Sequence, residues 1–187
     1  MKKVSILAFS VAFVFALASF TTATKLVSSK SHVKFFSTTP AEDIESNNYK
    51  AVSTIDPATG EVVFSVPMQA FEFEKALMQK HFNSKDFLDT KAFPKAKLIG
   101  KITNLEAINF DKDGTYAATL QGDLTIKGVT KAISEKGTIT VKGTTVEVSS
   151  KFNITLADYG IAFEKGKPST NVAKTVEVTV FAEYQPK

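Results

Sequence analysis

The chain has 187 residues, 43% hydrophobic and 22% charged, with no Cys, no Trp and only two His. This is the balance of one folded domain, and it excludes a disulfide scaffold, a Cys-held metal centre and thiol catalysis. The formal charge of +4 rests on 23 basic residues, all of them Lys, and a chain without Arg forks or a clustered basic patch has no nucleic-acid partner to expect.

Lys2 and Lys3 precede the apolar run Ile6 to Ala18 and the small residues Ser19 and Thr21 to Ala23. This order predicts a cleavable signal peptide over residues 1–23 and places the mature protein, residues 24–187, in the periplasm or outside the cell. The apolar run falls short of the roughly 20 residues a spanning helix needs. Removal takes Phe9, Phe13, Phe15 and Phe20, so 12 of the 16 Phe remain.

From Lys25 onward the dominant period is two. Strands are predicted at His32–Thr39, Tyr49–Ile55 and Glu61–Pro67, the last two divided by the turn Asp56-Pro57-Ala58-Thr59-Gly60. Phe71, Phe73, Leu77, Met78 and Phe82, mixed with charged residues, break the period and predict a short helix at about Glu74–Asn83. An irregular connection through Pro94 follows, carrying Phe87 and Phe93. Further strands are expected at Lys97–Leu105, Thr115–Ile126, Lys131–Val141, Thr145–Thr155 and Thr175–Tyr184, with Lys127-Gly128 and Lys142-Gly143-Thr144 as tight hairpin turns. Glu164–Ser169 reads as a solvated connection. Eight antiparallel strands with one helical insertion form a sandwich or a barrel, and closure removes exposed edges. Strands of about 10 residues run roughly 33 Å, and an eight-stranded barrel is just wide enough for side chains or for one ligand.

Leu120-Gln121-Gly122-Asp123-Leu124-Thr125-Ile126-Lys127-Gly128-Val129-Thr130-Lys131 resembles the GxLTIxGVTK hairpin of the YceI-like family of bacterial periplasmic proteins. Ser31 to Phe35 is similar to that family's opening strand, Asp56-Pro57 to its second turn, and His81 to Asp89 with Phe93-Pro94 to its central segment. Asn153 to Ile161, ending in Asp158-Tyr159-Gly160-Ile161, resembles its late motif. The ordered set covers nearly all of Lys25–Lys187. The resemblance implies an all-β fold, an extended eight-stranded antiparallel lipocalin-like barrel, that holds a polyisoprenoid or fatty-acyl-like chain and has no enzymatic activity. Lys75 and Lys80 stand where relatives often carry Arg, and Ala157 where they often carry Ser, which points to a different tunnel shape or head group.

Candidates for the tunnel lining are the aromatic and Met side chains Phe35, Phe64, Phe71, Phe73 and Met78, then Phe82, Phe87, Phe93 and Phe152, together with Leu120 and Leu124. Ordinary core packing is the alternative for each, since a small barrel is either filled or hollow. Gly122, Gly100, Ala51 and Gly137 are expected to leave room inside. His81, Ser84 and Asp86 are residue types of a hydrolytic triad, but no G-x-S-x-G elbow presents the Ser. Ordering of the helix-to-loop turn, or contact with a head group, is the expected role, and Asp158 is placed in the same class. Two distant His give no organised metal site. No cofactor is expected beyond a bound isoprenoid or fatty-acyl lipid. The partner is a hydrophobic small molecule; transient contact with a membrane or membrane enzyme, and a homodimer, stay open. The alternative functions are presentation of an isoprenoid quinone to a membrane redox enzyme and a hydrolase built on His81 and Ser84.

Overall fold

A computed structural model describes residues 24–39, 42–161, 163–164, 167–168 and 173–187. The expected leader lies outside the described residues. So do residues 165, 166 and 169 of the 164–169 connection, beside which the two-residue strands β10 (Phe163–Glu164) and β11 (Lys167–Pro168) pair with each other.

The period-two segments become the walls of one closed barrel. Strands β1 (Leu26–Thr38), β2 (Asp43–Asn48), β3 (Val52–Ile55), β4 (Glu61–Pro67), β6 (Lys95–Ile102), β7 (Gly114–Ile126), β8 (Val129–Lys142), β9 (Thr145–Thr155) and β12 (Thr175–Pro186) join in antiparallel order, and β12 closes on β1. Leu26 faces Ile55 and Val33 faces Asn48, so the register is unbroken and β2 and β3 are two halves of a single wall strand. The barrel therefore has eight walls, as the alternation implies. The interruption at residues 49–51 is bridged by side chains: Ser31 Oγ donates to the Ala51 carbonyl at 2.5 Å, the Ser53 N–H donates to Ser28 Oγ, and Asn48 Nδ2 reaches the Pro67 carbonyl at 2.8 Å. The buried Ser31 and Asn48 side chains and half-buried Ser28 thus take up backbone groups at the break, as the burial of the first two requires. Tyr49, expected inside a strand, is instead exposed in this break and stacks on the His32 ring at 4.5 Å.

The long meander β7–β8–β9 owes its register to its turns. Lys127 and Gly128 both have positive φ, +49° and +77°, the geometry of a two-residue type I′ turn. At Gly100 and Gly122 the two strands cross so closely that a Cβ on Gly122 would sit 2.4 Å from the Gly100 Cα. These two glycines permit strand approach and do not line the interior space, contrary to the expectation from sequence.

One end of the barrel is filled. Ile55, Ile139, Val141, Ala182 and Tyr184 are each no more than 1% exposed there, and Ser53 Oγ donates to the Tyr184 hydroxyl at 2.7 Å. At the other end the chain leaves β4, makes a single 3-10 turn at Met68–Ala70, adds the short strand β5 (Glu72–Phe73) to the outer edge of β2, and enters the helix α1 (Ala76–Asn83). The helix starts two residues later than its sequence pattern suggests. Phe71 and Phe73 lie before it, in extended backbone, because β5 takes up ladder bonds with Ser46 and Asn47.

Candidate ligand-binding tunnel

Between the filled end and the helix the side chains stop meeting. The space left is about 890 Å³, near the top of the range for ligand pockets and enough for about 30 waters at liquid density. Protein interiors close-pack without voids of this size, so the barrel is hollow over its upper half. Its wall is built by alternation. Inward residues come from every wall strand, among them Val33 and Phe35 of β1, Phe64 and Val66 of β4, Leu98 of β6, Leu120 and Leu124 of β7, Ile133 of β8, Phe152 of β9 and Val178 of β12.

The helix end is covered by aromatics. Phe35, Phe71, Phe73 and Phe82 form a cluster with ring centroids 5.0 to 5.7 Å apart, in tilted, edge-on and stacked pairs. All four face the cavity, and Met78, Phe87 and Leu88 continue the cover. Of the lining candidates, the structure brings together Phe35, Phe64, Phe71, Phe73, Met78, Phe82, Phe87, Leu120, Leu124 and Phe152. Phe93 is a correction: it is absent from the wall and packs beneath the β7–β8 turn, where a Cβ on Gly128 would lie 2.8 Å from its ring. The φ of +77° at Gly128 and the proximity of that ring both demand glycine there. Among the small residues, Gly137 lines the space, whereas Ala51 is packed in the core and does not.

His81, Ser84 and Asp86 lie on the cavity rim. Ser84 Oγ donates to the His81 carbonyl at 2.8 Å, and the Ser84 N–H bonds the same oxygen. The hydroxyl therefore terminates α1 and is committed to backbone, away from the imidazole that a triad would need. Asp158 is exposed on a 3-10 turn, Leu156–Tyr159, and is not part of the wall.

Glu135 was not singled out from sequence. It lies on the inward face of β8, in line with Ile133, Gly137 and Ile139, and belongs to the cavity wall. The signal was present, since strict alternation through Ile133, Glu135, Gly137, Ile139 and Val141 puts a carboxylate on an apolar face. Burial raises its pKa above the usual value. Beside it the wall parts. The β8–β9 ladder runs from Lys142 opposite Thr145 only to Gly137 opposite Ser150, although β9 stays paired with β12 as far as Thr155. Ser150 Oγ donates to the Lys136 carbonyl at the apex of this wedge, and buried Tyr159 follows the last residues of β9. The Tyr159 phenol is held above its usual range by burial, then by the negative charges of Asp158 and Glu135.

A closed antiparallel barrel with one packed end, an aromatic-covered mouth and a hollow interior defines a β-barrel of the lipocalin-like type. The sequence matches the model of the YceI-like domain over residues 21–184, and the chain belongs to that family. It is 43% identical over 54 residues to a UPF0312 protein of Pseudomonas fluorescens, a match spanning 29% of this chain and 26% of that relative. In structure it resembles a polyisoprenoid binding domain from Saccharophagus degradans implicated in plant cell wall breakdown, with TM-score 0.72, 13% identity, and 87% and 98% of the two chains covered. It also resembles BcnA of Burkholderia cenocepacia, with TM-score 0.68, 20% identity, and 82% and 95% covered. The YCEI protein of Campylobacter jejuni aligns with TM-score 0.57 at 16% identity, covering 100% and 99%.

Proposed function

We propose that this protein is an exported, non-enzymatic carrier that shelters one long apolar chain, polyisoprenoid or fatty-acyl in kind, inside the barrel for storage or transport through an aqueous compartment. The observation that carries this reading is the 890 Å³ interior, walled mainly by aliphatic and aromatic side chains from all eight barrel walls. Burial of a chain of about 16 methylenes gains roughly 13 kcal/mol at about 0.8 kcal/mol each. That exceeds most of the 4 to 15 kcal/mol cost of association, so binding needs few polar contacts. The binding named for the Saccharophagus domain agrees with this reading. The leader-like segment ahead of residue 24 supports export.

Native mass spectrometry of mature protein purified without detergent tests the proposal. Copurified hydrophobic mass, or uptake of one prenyl or fatty-acyl chain per barrel, is expected. Protein that emerges empty and takes up neither class refutes it.

A further inference from the structure

The cover over the tunnel mouth turns a distinct surface to solvent. Helix α1 points Phe82 inward but leaves Leu77 62% exposed, and Lys80 follows one turn later on the same side. The connection after the helix is folded into the same cover. The Phe87 and Asp89 N–H groups donate to the Ser84 carbonyl, Thr90 Oγ1 donates to Asn83 Oδ1 at 2.8 Å, and the Met68 N–H donates to the Pro94 carbonyl at 2.9 Å. Its outer side exposes Lys85, Lys91, Ala92, Pro94 and Lys95.

Charge on this surface is unbalanced. Over residues 76–97, Lys80, Lys85, Lys91, Lys95 and Lys97 stand against two acids, Asp86 and Asp89. None of these takes part in an ion pair among the described residues, whereas on the barrel walls Lys30, Lys34, Lys142 and Lys151 are each paired with a Glu. The other edge of the mouth is acidic: Asp43, Glu72 and Glu74 line the outer groove on the β2–β5 side, where Glu42 pairs with Lys75. The excess of Lys is therefore one-sided, running from α1 over the connection to the start of β6. The filled end is mixed, with exposed Glu61, Glu106, Asp111 and Asp113 among Lys101 and Lys112.

We infer that the basic side of the cover docks on an anionic lipid membrane, with Leu77 entering the interface and the lysines meeting lipid phosphate. Unpaired Lys around a protruding apolar side chain suit such a surface, because each cation adds attraction while the apolar group is withdrawn from water. The Lys stems lie along the interface with their ammonium groups among the head groups. The acidic edge is repelled, so the barrel stands tilted on its basic side. This inference rests on the carrier reading for its purpose: docking by the cover sets the tunnel mouth against the bilayer, where a long apolar chain passes between the two without crossing water.

The test is cosedimentation of the mature protein with vesicles of phosphatidylcholine, alone or mixed with about equal phosphatidylglycerol. Wild type is compared with Lys80→Gln/Lys85→Gln, with Leu77→Ser, and with Lys101→Gln/Lys112→Gln at the filled end, folding being checked by circular dichroism. Wild type should bind the anionic vesicles at least about tenfold more tightly than phosphatidylcholine and be released at about 0.5 M salt. The cover pair should cost about thirtyfold and Leu77→Ser about tenfold, while the filled-end pair stays within about threefold of wild type. Equal binding to both vesicles, or a filled-end pair as costly as the cover pair, overturns the docking surface. Binding to soluble polyglutamate as tight as to vesicles and unaffected by Leu77→Ser marks an acidic protein partner instead, and also overturns it. In each of these cases uptake of diphenylhexatriene leaves the carrier reading standing. Protein that docks through the cover yet takes up neither diphenylhexatriene nor any lipid overturns the carrier reading and leaves the surface.

Discussion

Ala118 offers a way to shorten the tunnel without touching its mouth. It lies on the inward face of β7 opposite Gly137, packs at the edge of the filled end, and lines the cavity floor. The wall residues of β7 run from Ala118 to Ile126, which at about 3.3 Å per residue is roughly 26 Å along the strand. With a strand tilt near 40° this gives about 20 Å of depth. An extended chain with bonds of about 1.5 Å and angles of ~111° rises about 1.25 Å per methylene, so some 16 methylenes fit. Ala118→Trp fills the deepest third and displaces about five of them. At about 0.8 kcal/mol each the loss is about 4 kcal/mol, close to a thousandfold in Kd for a C18 chain. A C10 chain, which ends above the indole, should bind as in wild type. Because the new ring enters empty space, thermal stability should be unchanged. Competition against diphenylhexatriene with alcohols from C8 to C18 reads the result as a break in the dependence of affinity on length. Equal weakening at every length, or no weakening at C18, would refute the geometry of an end-closed tunnel with Ala118 at its floor.

Two further outcomes concern the scaffold. Tyr184→Phe leaves the buried Ser53 hydroxyl without its acceptor, so stability should fall by about 1 to 2 kcal/mol in urea titration while ligand uptake is unchanged. Burial pushes the Tyr184 phenol far above its usual value. The folded state therefore holds this proton more tightly than the unfolded chain, and the stability it contributes is full below about pH 10 and declines as pH rises above it. Wild type should accordingly lose stability above pH 10 more steeply than Tyr184→Phe. Gly122→Ala places a Cβ 2.4 Å from both the Gly100 Cα and the Ile99 carbonyl. The backbones of β6 and β7 must separate, at a cost of about 3 kcal/mol or more, read as a lowered melting temperature.

The eight walls were legible because each is a half-buried strand, and half-burial imprints alternation on the sequence. The hairpins at Lys127-Gly128 and Lys142-Gly143 were legible because only a few residue types accept positive φ. What alternation does not carry is which strands lie side by side at a barrel end. The split of one wall into β2 and β3, and the addition of β5 beside it, go with Ser28, Ser31 and Asn48 side chains bonding backbone far away in sequence. Ring-rich composition singled out Phe71 and Phe82, which border the cavity, and equally Phe93, which instead lies against a turn glycine. Composition favours the large apolar residue and passes over a lone Glu, so Glu135 on β8 escaped notice even though its parity was readable.

The two ends of the barrel divide the tasks that the proposed carrier would combine. Closure of β12 on β1 joins the walls, and the packed cluster around Ile139 and Tyr184 fills one end. That end can then remain intact while a ligand enters or leaves. The helix end is held differently: α1 buries only Phe82, and its start has no side-chain cap. Its aromatic cluster covers the cavity by ring contacts, each worth about 0.5 to 1.5 kcal/mol beyond burial. Segments with few buried contacts open locally at low free energy, well below the cost of unfolding the whole barrel. A rigid floor that sets chain length and a lightly held cover over the mouth are what exchange of a long apolar chain requires. Between floor and cover, the open wedge beside Glu135 interrupts the wall where β8 and β9 part.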